Sequence, residues 1–265
     1  RKPIKVALVL GAGGARGYAH LGVLAELHRA GVPINLVAGA SVGSVVGALY
    51  ADRGSSKEAF NAMMAAGFWS FADVSLIPKA SGLMTGNHLQ AFLLKYLHAK
   101  TFRQLKIPLV VATTDVYYGM PYVIASGPVA PAAEASAAIP GLVQPSYLYG
   151  RNLVDGGVTD PVPVDLVKRY HPKLIIAVNI DRKMIAEMPQ TNVGILSRSY
   201  TVMWKSLARL SQRGADVVIY PDVKRAGVFD INKKMQLYHA GEVAAHRAMP
   251  RILKLMRLRG IKRVR

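Results

Sequence analysis

The chain has no cysteine. Disulfides, thiolate catalysis and cysteine-ligated zinc are thereby excluded, while the compartment stays open, because a cysteine-free chain suits reducing and oxidising surroundings alike. Long apolar runs are also missing. The best candidate, Leu36 to Tyr50, is broken by three glycines and two serines, well short of the ~18 apolar residues of a membrane span. A soluble or surface-bound chain is expected. Linkers, repeats and low-complexity tracts are absent, and 265 residues suffice for one large core. A single domain over residues 1–265 is therefore predicted, with a motif-bearing core at 6–180 and a C-terminal strand and basic helix at 193–265. No methionine stands at position 1 and a strand begins almost at once, so removal of an upstream tag, signal peptide or lipoprotein leader is expected.

Acidic residues are scarce, 15 against 34 Lys and Arg, for a net charge of +19. Asp160, Asp165 and Asp181 form no cluster and the histidines show no ligand spacing, so no metal site is expected. The positive field favours anionic partners. Interleaved aromatic and basic residues of the RNA-binding type are lacking, which argues against nucleic acid. An anionic membrane surface is expected instead, with a peripheral location in cytoplasm or periplasm alike. The C-terminal stretch is the candidate anchor, because Ile252, Leu253, Leu255, Met256 and Leu258 alternate with Arg251, Lys254, Arg257 and Arg259, a mixture suited to the interface plane.

What is present reads as alternating strands and helices. Apolar strands are predicted at Ile4–Leu10, Ile34–Val37, Lys106–Asp115, Leu174–Ile180 and Asp216–Tyr220. Helices are predicted after the first strand, at Val42–Tyr50, from Ser55 or Ser56 through Met64, at Pro131–Ala138, at Val193–Arg213, and at Met235–Arg259 with an interruption near Pro250. Tyr122–Ala125 reads as a hairpin partner and Arg151–Val154 as a short strand. Residues 67–88 lack clean periodicity; Phe68, Trp69, Phe71, Leu76, Ile77, Leu83 and Met84 there suit either a lipid-receiving lip or ordinary core. The pattern predicts an α/β fold, a mainly parallel central sheet with helices on both faces.

Gly39-Ala40-Ser41-Val42-Gly43 reads G-x-S-x-G between a strand and a helix. A serine there sits on a strained turn with its hydroxyl at the carboxyl edge of the sheet, and Gly39 and Gly43 let backbone segments approach closely. Upstream, Gly11-Ala12-Gly13-Gly14-Ala15-Arg16-Gly17 joins the first strand to the first helix, so its N–H groups suit negative charge. A dinucleotide fingerprint fits poorly: Arg16 stands where the third glycine belongs, and no acid follows ~20 residues on. A P-loop lacks its Gly-Lys-Ser/Thr. An oxyanion hole remains, built from Gly11, Gly13 and Gly14 beside Arg16, with donors worth ~3–4 kcal/mol in a transition state. Asp155-Gly156-Gly157 is by default a turn. Its glycines also permit close approach to another loop, where the Asp155 carboxylate can accept the Ser41 proton.

GAGGARG (11–17), GASVG (39–43) and DGG (155–157), in that order, resemble the patatin-like phospholipases, in particular bacterial members related to neuropathy target esterase. HLGVL (20–24), ASAAIPG (135–141) and DGGVTDPVPV (155–164) support the likeness, which runs from about Val6 through Ile180 and more weakly beyond. The resemblance implies a Ser41–Asp155 catalytic dyad, an oxyanion hole around Gly13 and Gly14, a structural or electrostatic role for Arg16, and cofactor-free hydrolysis of phospholipid or related acyl esters. The family loop begins with three glycines, and Ala12 stands here at the first; a positive φ there would cost ~1–2 kcal/mol. Two alternatives are a lipid-binding or scaffold protein that keeps the fold, and a Ser-His-Asp hydrolase. The latter requires a late histidine, for which His171, His239 and His246 are placed without a motif around them. His20, near the glycine loop, is expected to cap or pack rather than touch substrate, and Asp115 to stabilise a turn.

Overall fold

The computed structural model describes residues 3–71, 73–79, 82–184, 187–224, 226–227 and 230–264, without the side chains of 74–79 and 82. β1 (Val6–Leu10) is buried along its whole length. Val6, Leu8 and Leu10 enter one core layer and Ala7 and Val9 the other, as expected of an apolar strand covered on both faces. After α1 (Tyr18–Arg29) come β2 (Ile34–Ala40), α2 (Val42–Arg53) and α3 (Ser56–Ala65). Ser55 caps α3 by accepting from the Glu58 N–H at 3.2 Å. The stretch without periodicity forms a hairpin, β3 (Val74–Lys79) and β4 (Gly82–Met84), followed by α4 (Asn87–Tyr96). β5 (Leu109–Asp115), β6 (Met120–Ile124), α5 (Val129–Ser136), β7 (Ser146–Leu148) and β8 (Arg151–Asp155) follow. The chain continues through α6 (Val164–Lys168), β9 (Leu174–Val178), α7 (Asn192–Ser211), β10 (Val217–Ile219) and α8 (Lys234–Leu258).

Strands β10, β9, β1, β2 and β5 lie side by side and parallel. Beyond them the sheet turns antiparallel, with β6 and β8 on β5 and β7 on β8. The pairing on β5 decides where the chemistry sits. β6 occupies one edge of β5 over residues 111–115. A strand has two edges, so β2, paired at 109–112, and β8, paired at 113–115, share the other edge end to end. They run in opposite directions, so their carboxyl ends meet.

Helices cover both faces. Side chains of α1 to α5 and α8 fill one core layer. The other layer is thin, because the strands offer it Ala7, Ala38, Ala40, Ala112 and Ala177; α6 and the inner side of α7 lie over it. Helix α8 departs from expectation twice. It runs unbroken through Pro250, whose missing N–H would face the carbonyl of His246; both residues lie on the exposed side of the helix, where a lost helical hydrogen bond costs least. Its apolar side is also not free for a membrane. Ile252 and Met256 are buried in the core, and Leu253 and Leu255 pack against it. Several basic residues at this end act as clamps: Arg251 donates to Asp216 O, Arg259 to Lys173 O and the Asp216 carboxylate, and Arg263 to Ala30 O. Among the described residues no helix is long and apolar enough to cross a membrane.

Candidate active site

Ser41 follows the last residue of β2 and precedes α2, with φ 54° and ψ −128°. A non-glycine residue there carries ~1–3 kcal/mol of backbone strain, which the surroundings must hold in place. They do so on both sides. The Ser41 N–H donates to Ser136 Oγ at 2.9 Å, and Ser136 Oγ donates to Ala112 O at 2.6 Å. The Ser41 carbonyl accepts from the Ser44 N–H at 2.9 Å and the Ser44 hydroxyl at 2.6 Å. Gly43 makes the elbow possible, since a Cβ there would overlap the carbonyl of Leu10, and one at Gly39 would strike the backbone of Gly43.

Asp155 ends β8 opposite Thr113, one position beyond the Ala40–Ala112 pair. That register is the abutment of β2 and β8 expressed in residues, and it puts the two side chains in contact: Ser41 Oγ donates to Asp155 Oδ2 at 2.5 Å. The other carboxylate oxygen accepts from the Gly157 N–H at 2.7 Å. The Asp155 backbone is fixed by Ala138 O and by the Thr114 hydroxyl. Gly156 is required for the approach, because a Cβ would overlap Ala112 O; one at Gly157 would enter the Trp204 ring. Burial pushes the Asp155 carboxyl up from 3.8 to about 6, against the hydrogen bonds from Ser41 and Gly157 that favour its ionised form. A carboxylate so placed remains charged at neutral pH yet is a better proton acceptor than a solvated one.

The glycine loop lies beside Ser41. The Gly11 and Ala12 amides are engaged, with Val178 O at 3.0 Å and Pro161 O at 2.9 Å. Gly11 is therefore a support of the loop rather than an oxyanion donor. Gly13 and Gly14, at the start of the turn that leads into α1, line the cavity with Ser41. Ala12 is not among the residues with positive φ, so the feared strain does not arise. Arg16 is buried; its Nε donates to Gly13 O at 2.9 Å and its Nη1 lies 3.5 Å from Asp181. Lys205 shares that carboxylate at 3.1 Å. His20 is fully buried under the loop with Nε2 2.8 Å from Gly11 O. A carbonyl only accepts, so Nε2 carries the proton; burial holds the imidazole neutral, down at about 4.

Two cavities open from Ser41. One, of about 260 Å³, is lined by Gly13, Gly14, Arg16, Asp155, Asp181 and Arg182, with Tyr200, Thr201 and Trp204 of α7 as a wall. The other, of about 120 Å³, is apolar, lined by Tyr18, Val42, Val45, Met63, Phe71 and Leu89 among others. Gly14, Ser41 and Ile139 belong to both. The 67–88 segment is thus divided: Phe68, Phe71 and Met84 line the apolar cavity, Trp69 and Leu83 point to solvent, and the side chains of Leu76 and Ile77 lie outside the described residues. Ser136, Ile139 and Arg182 escaped the sequence reading as site residues, although Ser136 and Ile139 fall in ASAAIPG. The late histidines stand away from this chemistry. His171 occupies an exposed turn at φ 50°, His239 accompanies Glu242 at 2.9 Å, and His246 is exposed 3.6 Å from Glu26. Asp115 accepts from the Tyr117 and Tyr118 amides and pairs with Arg151 at 2.7 Å, a turn-stabilising role. Among the described residues no cluster of three His, Asp or Glu is placed to hold a metal.

Comparison with known proteins places the chain in a family. The family model described as patatin-like phospholipase matches residues 8–168. An NTE family protein of Mycobacterium tuberculosis is 34% identical over 179 residues, covering 67% of this chain and 49% of that protein. Human patatin-like phospholipase domain-containing protein 6 is 30% identical over 227 residues, covering 82% of this chain and 16% of that protein. The chain thus spans about half the length of the mycobacterial relative and a far smaller part of the human one. Among solved structures, VipD from Legionella pneumophila shares the fold, with a TM-score of 0.62 at 14% identity over 92% of this chain and 66% of that one. The chain belongs to the patatin-like phospholipase family.

Proposed function

We propose that this chain is a cofactor-free serine hydrolase of lipid acyl esters that works through Ser41 and Asp155 at an anionic lipid surface, as a peripheral rather than a spanning protein. The observation that carries the reading is the 2.5 Å Ser41–Asp155 hydrogen bond at the junction of a polar and an apolar cavity. Ser41 Oγ attacks the ester carbonyl while its proton passes to Asp155 Oδ2. The Gly13 and Gly14 amides, at the positive end of the turn leading into α1, stabilise the developing oxyanion. Collapse expels the alcohol, which takes the proton from Asp155, and leaves an acyl-serine. Water, deprotonated by Asp155, then releases the fatty acid and restores Ser41.

The two cavities suggest how a substrate lies. The apolar branch suits the acyl chain. The polar branch suits an anionic leaving group, because Arg16 and Lys205 share Asp181 and Arg182 has no acidic partner among the described residues. A glycerophospho group meets that description. A scaffold that merely binds lipid needs neither a strained serine nor a buried carboxylate bonded to it, which disfavours that alternative. Labelling with a fluorophosphonate, lost in Ser41→Ala, together with fatty-acid release from a panel of phospholipids and lysophospholipids, tests the reading. A chain that is folded yet neither labelled nor active on any lipid of the panel overturns it.

A further inference from the structure

Helix α7 runs for 20 residues, and Ala208 is its sole buried residue. Val193, Leu196, Met203, Leu207 and Leu210 share one side of it, with Tyr200 at the edge where that side meets the polar cavity, and apart from half-buried Leu207 all are exposed. Val193 is 76%, Leu196 71% and Met203 69% exposed. Such a stripe ordinarily faces a core. Here the opposite side of the helix faces the protein, where Thr201 and Trp204 wall the polar cavity and Lys205 reaches Asp181. Met188, in the loop before the helix, adds to the exposed apolar surface.

Three features decide what this surface meets. Ile195 and Val202 are exposed beyond Ser199 and Ser206, so exposed apolar side chains stand on either side of a serine row, outside the two-position seam that one partner helix fills. The flanking positions where a helical pair carries its charges hold Ser197, Ser199, Trp204, Ser206 and Ser211. No acidic residue occurs in the helix, and Arg209 is exposed on it, whereas Lys205 turns inward to Asp181 and Arg198 donates to Glu187 O. A wide apolar face without partner-selecting charges, on a cationic helix, fits a medium that is apolar throughout and anionic at its surface. The same helix also walls the catalytic cavity, so docking there delivers a lipid to the mouth of the site. Taken with the reading of the chain as a lipid ester hydrolase, on which this step rests, we infer that the outer face of α7, and not the C-terminal helix, is the surface by which the protein docks on an anionic lipid bilayer.

The absence of cysteine makes a direct test clean. An environment-sensitive fluorophore on Met203→Cys should shift to the blue and be reached by bilayer-embedded quenchers when vesicles of mixed phosphatidylcholine and phosphatidylglycerol are added. The same probe on Arg257→Cys of α8 should stay in water. The Leu196→Glu/Met203→Glu double variant should lower vesicle partitioning at least tenfold and slow hydrolysis of bilayer lipid, with turnover of a short soluble ester unchanged. If the probe at 203 stays wet on vesicle-bound protein, or the probe at 257 enters the bilayer, the docking face is misassigned. If the 203 probe shifts without vesicles as protein concentration rises, a second copy covers the face and the proposal is overturned. Loss of soluble-ester turnover in the wild type would instead refute the hydrolase reading and leave the partitioning result standing.

Discussion

Protonating Asp155 should switch off hydrolysis, and the structure fixes where. The carboxyl is buried at the floor of the cavity, and burial raises it to about 6. Only its ionised form can take the Ser41 proton, so kcat/KM should climb with a single ionisation and level off above neutrality. About a tenth of the plateau should remain at pH 5 and about nine-tenths be reached at pH 7. Stability should move the opposite way. The folded protein holds this proton more tightly than the unfolded chain, whose carboxyl titrates near 3.8. The stabilising contribution is therefore fully present below about pH 4 and is lost as pH rises through 6. The difference amounts to at most about 3 kcal/mol. Asp155→Asn removes the enforced charge while keeping an oxygen to accept from the Gly157 amide, and its NH2 donates to Ser41 Oγ. At neutral pH it should abolish hydrolysis yet raise Tm, on the order of 5 °C. Initial rates on a short nitrophenyl ester, followed at a pH-independent wavelength, and thermal melts at pH 4 and 7 would measure both. A rate profile flat down to pH 4, or an Asn variant less stable at pH 7 than the parent, refutes the assignment of a buried, charge-strained base.

Ser41→Ala should reduce turnover at least ~1000-fold, and adding Asp155→Asn should cost little more, because the two act as one unit; additive losses would separate them. His171→Asn, His239→Gln and His246→Gln should each leave kcat within a few-fold of the parent, and a large loss with unchanged melting at any of them would restore the triad mechanism. Arg182→Gln should raise KM for lysophospholipids ~10-fold or more, the scale of a lost charge-assisted hydrogen bond, with KM for a neutral monoacylglycerol unchanged; equal effects on both would remove Arg182 from headgroup recognition.

Much of this was legible locally. The β1 run, the glycine loop and the serine elbow are each written within a few adjacent residues, so the sequence places them correctly. Helix α4 carries Leu89, Phe92, Leu93 and Tyr96 at helical spacing, a signal that was present and passed over beside the irregular 67–88 segment. Gly11 looked like an oxyanion donor because a sequence shows how many amides a loop has, not which are already bound; Val178 lies 167 positions away and takes this one. The two long helices show a deeper limit. Both α7 and α8 mix apolar and basic residues, and periodicity cannot say whether an apolar stripe meets core, lipid or a partner. Burial reverses the expectation here: Ile252 and Met256 of α8 are inside, while Leu196 and Met203 of α7 are outside.

The meeting of Ser41 and Asp155 is likewise a property of the sheet rather than of either motif. A serine at the end of a parallel strand would ordinarily look along the sheet edge toward neighbouring loops. Here the edge of β5 is shared, β2 ending at Ala112 and β8 arriving head-on at Thr113. One peptide step of β5 thus sets the distance between the Ser41 hydroxyl and the Asp155 carboxylate, and Ser136, bonded both to Ala112 O and to the Ser41 amide, ties the elbow to that same step. In the proposed dyad a third residue to orient the base is unnecessary, because the strand register does the orienting. The histidine of a triad bridges a gap between serine and carboxylate; two strands meeting end to end leave no gap to bridge.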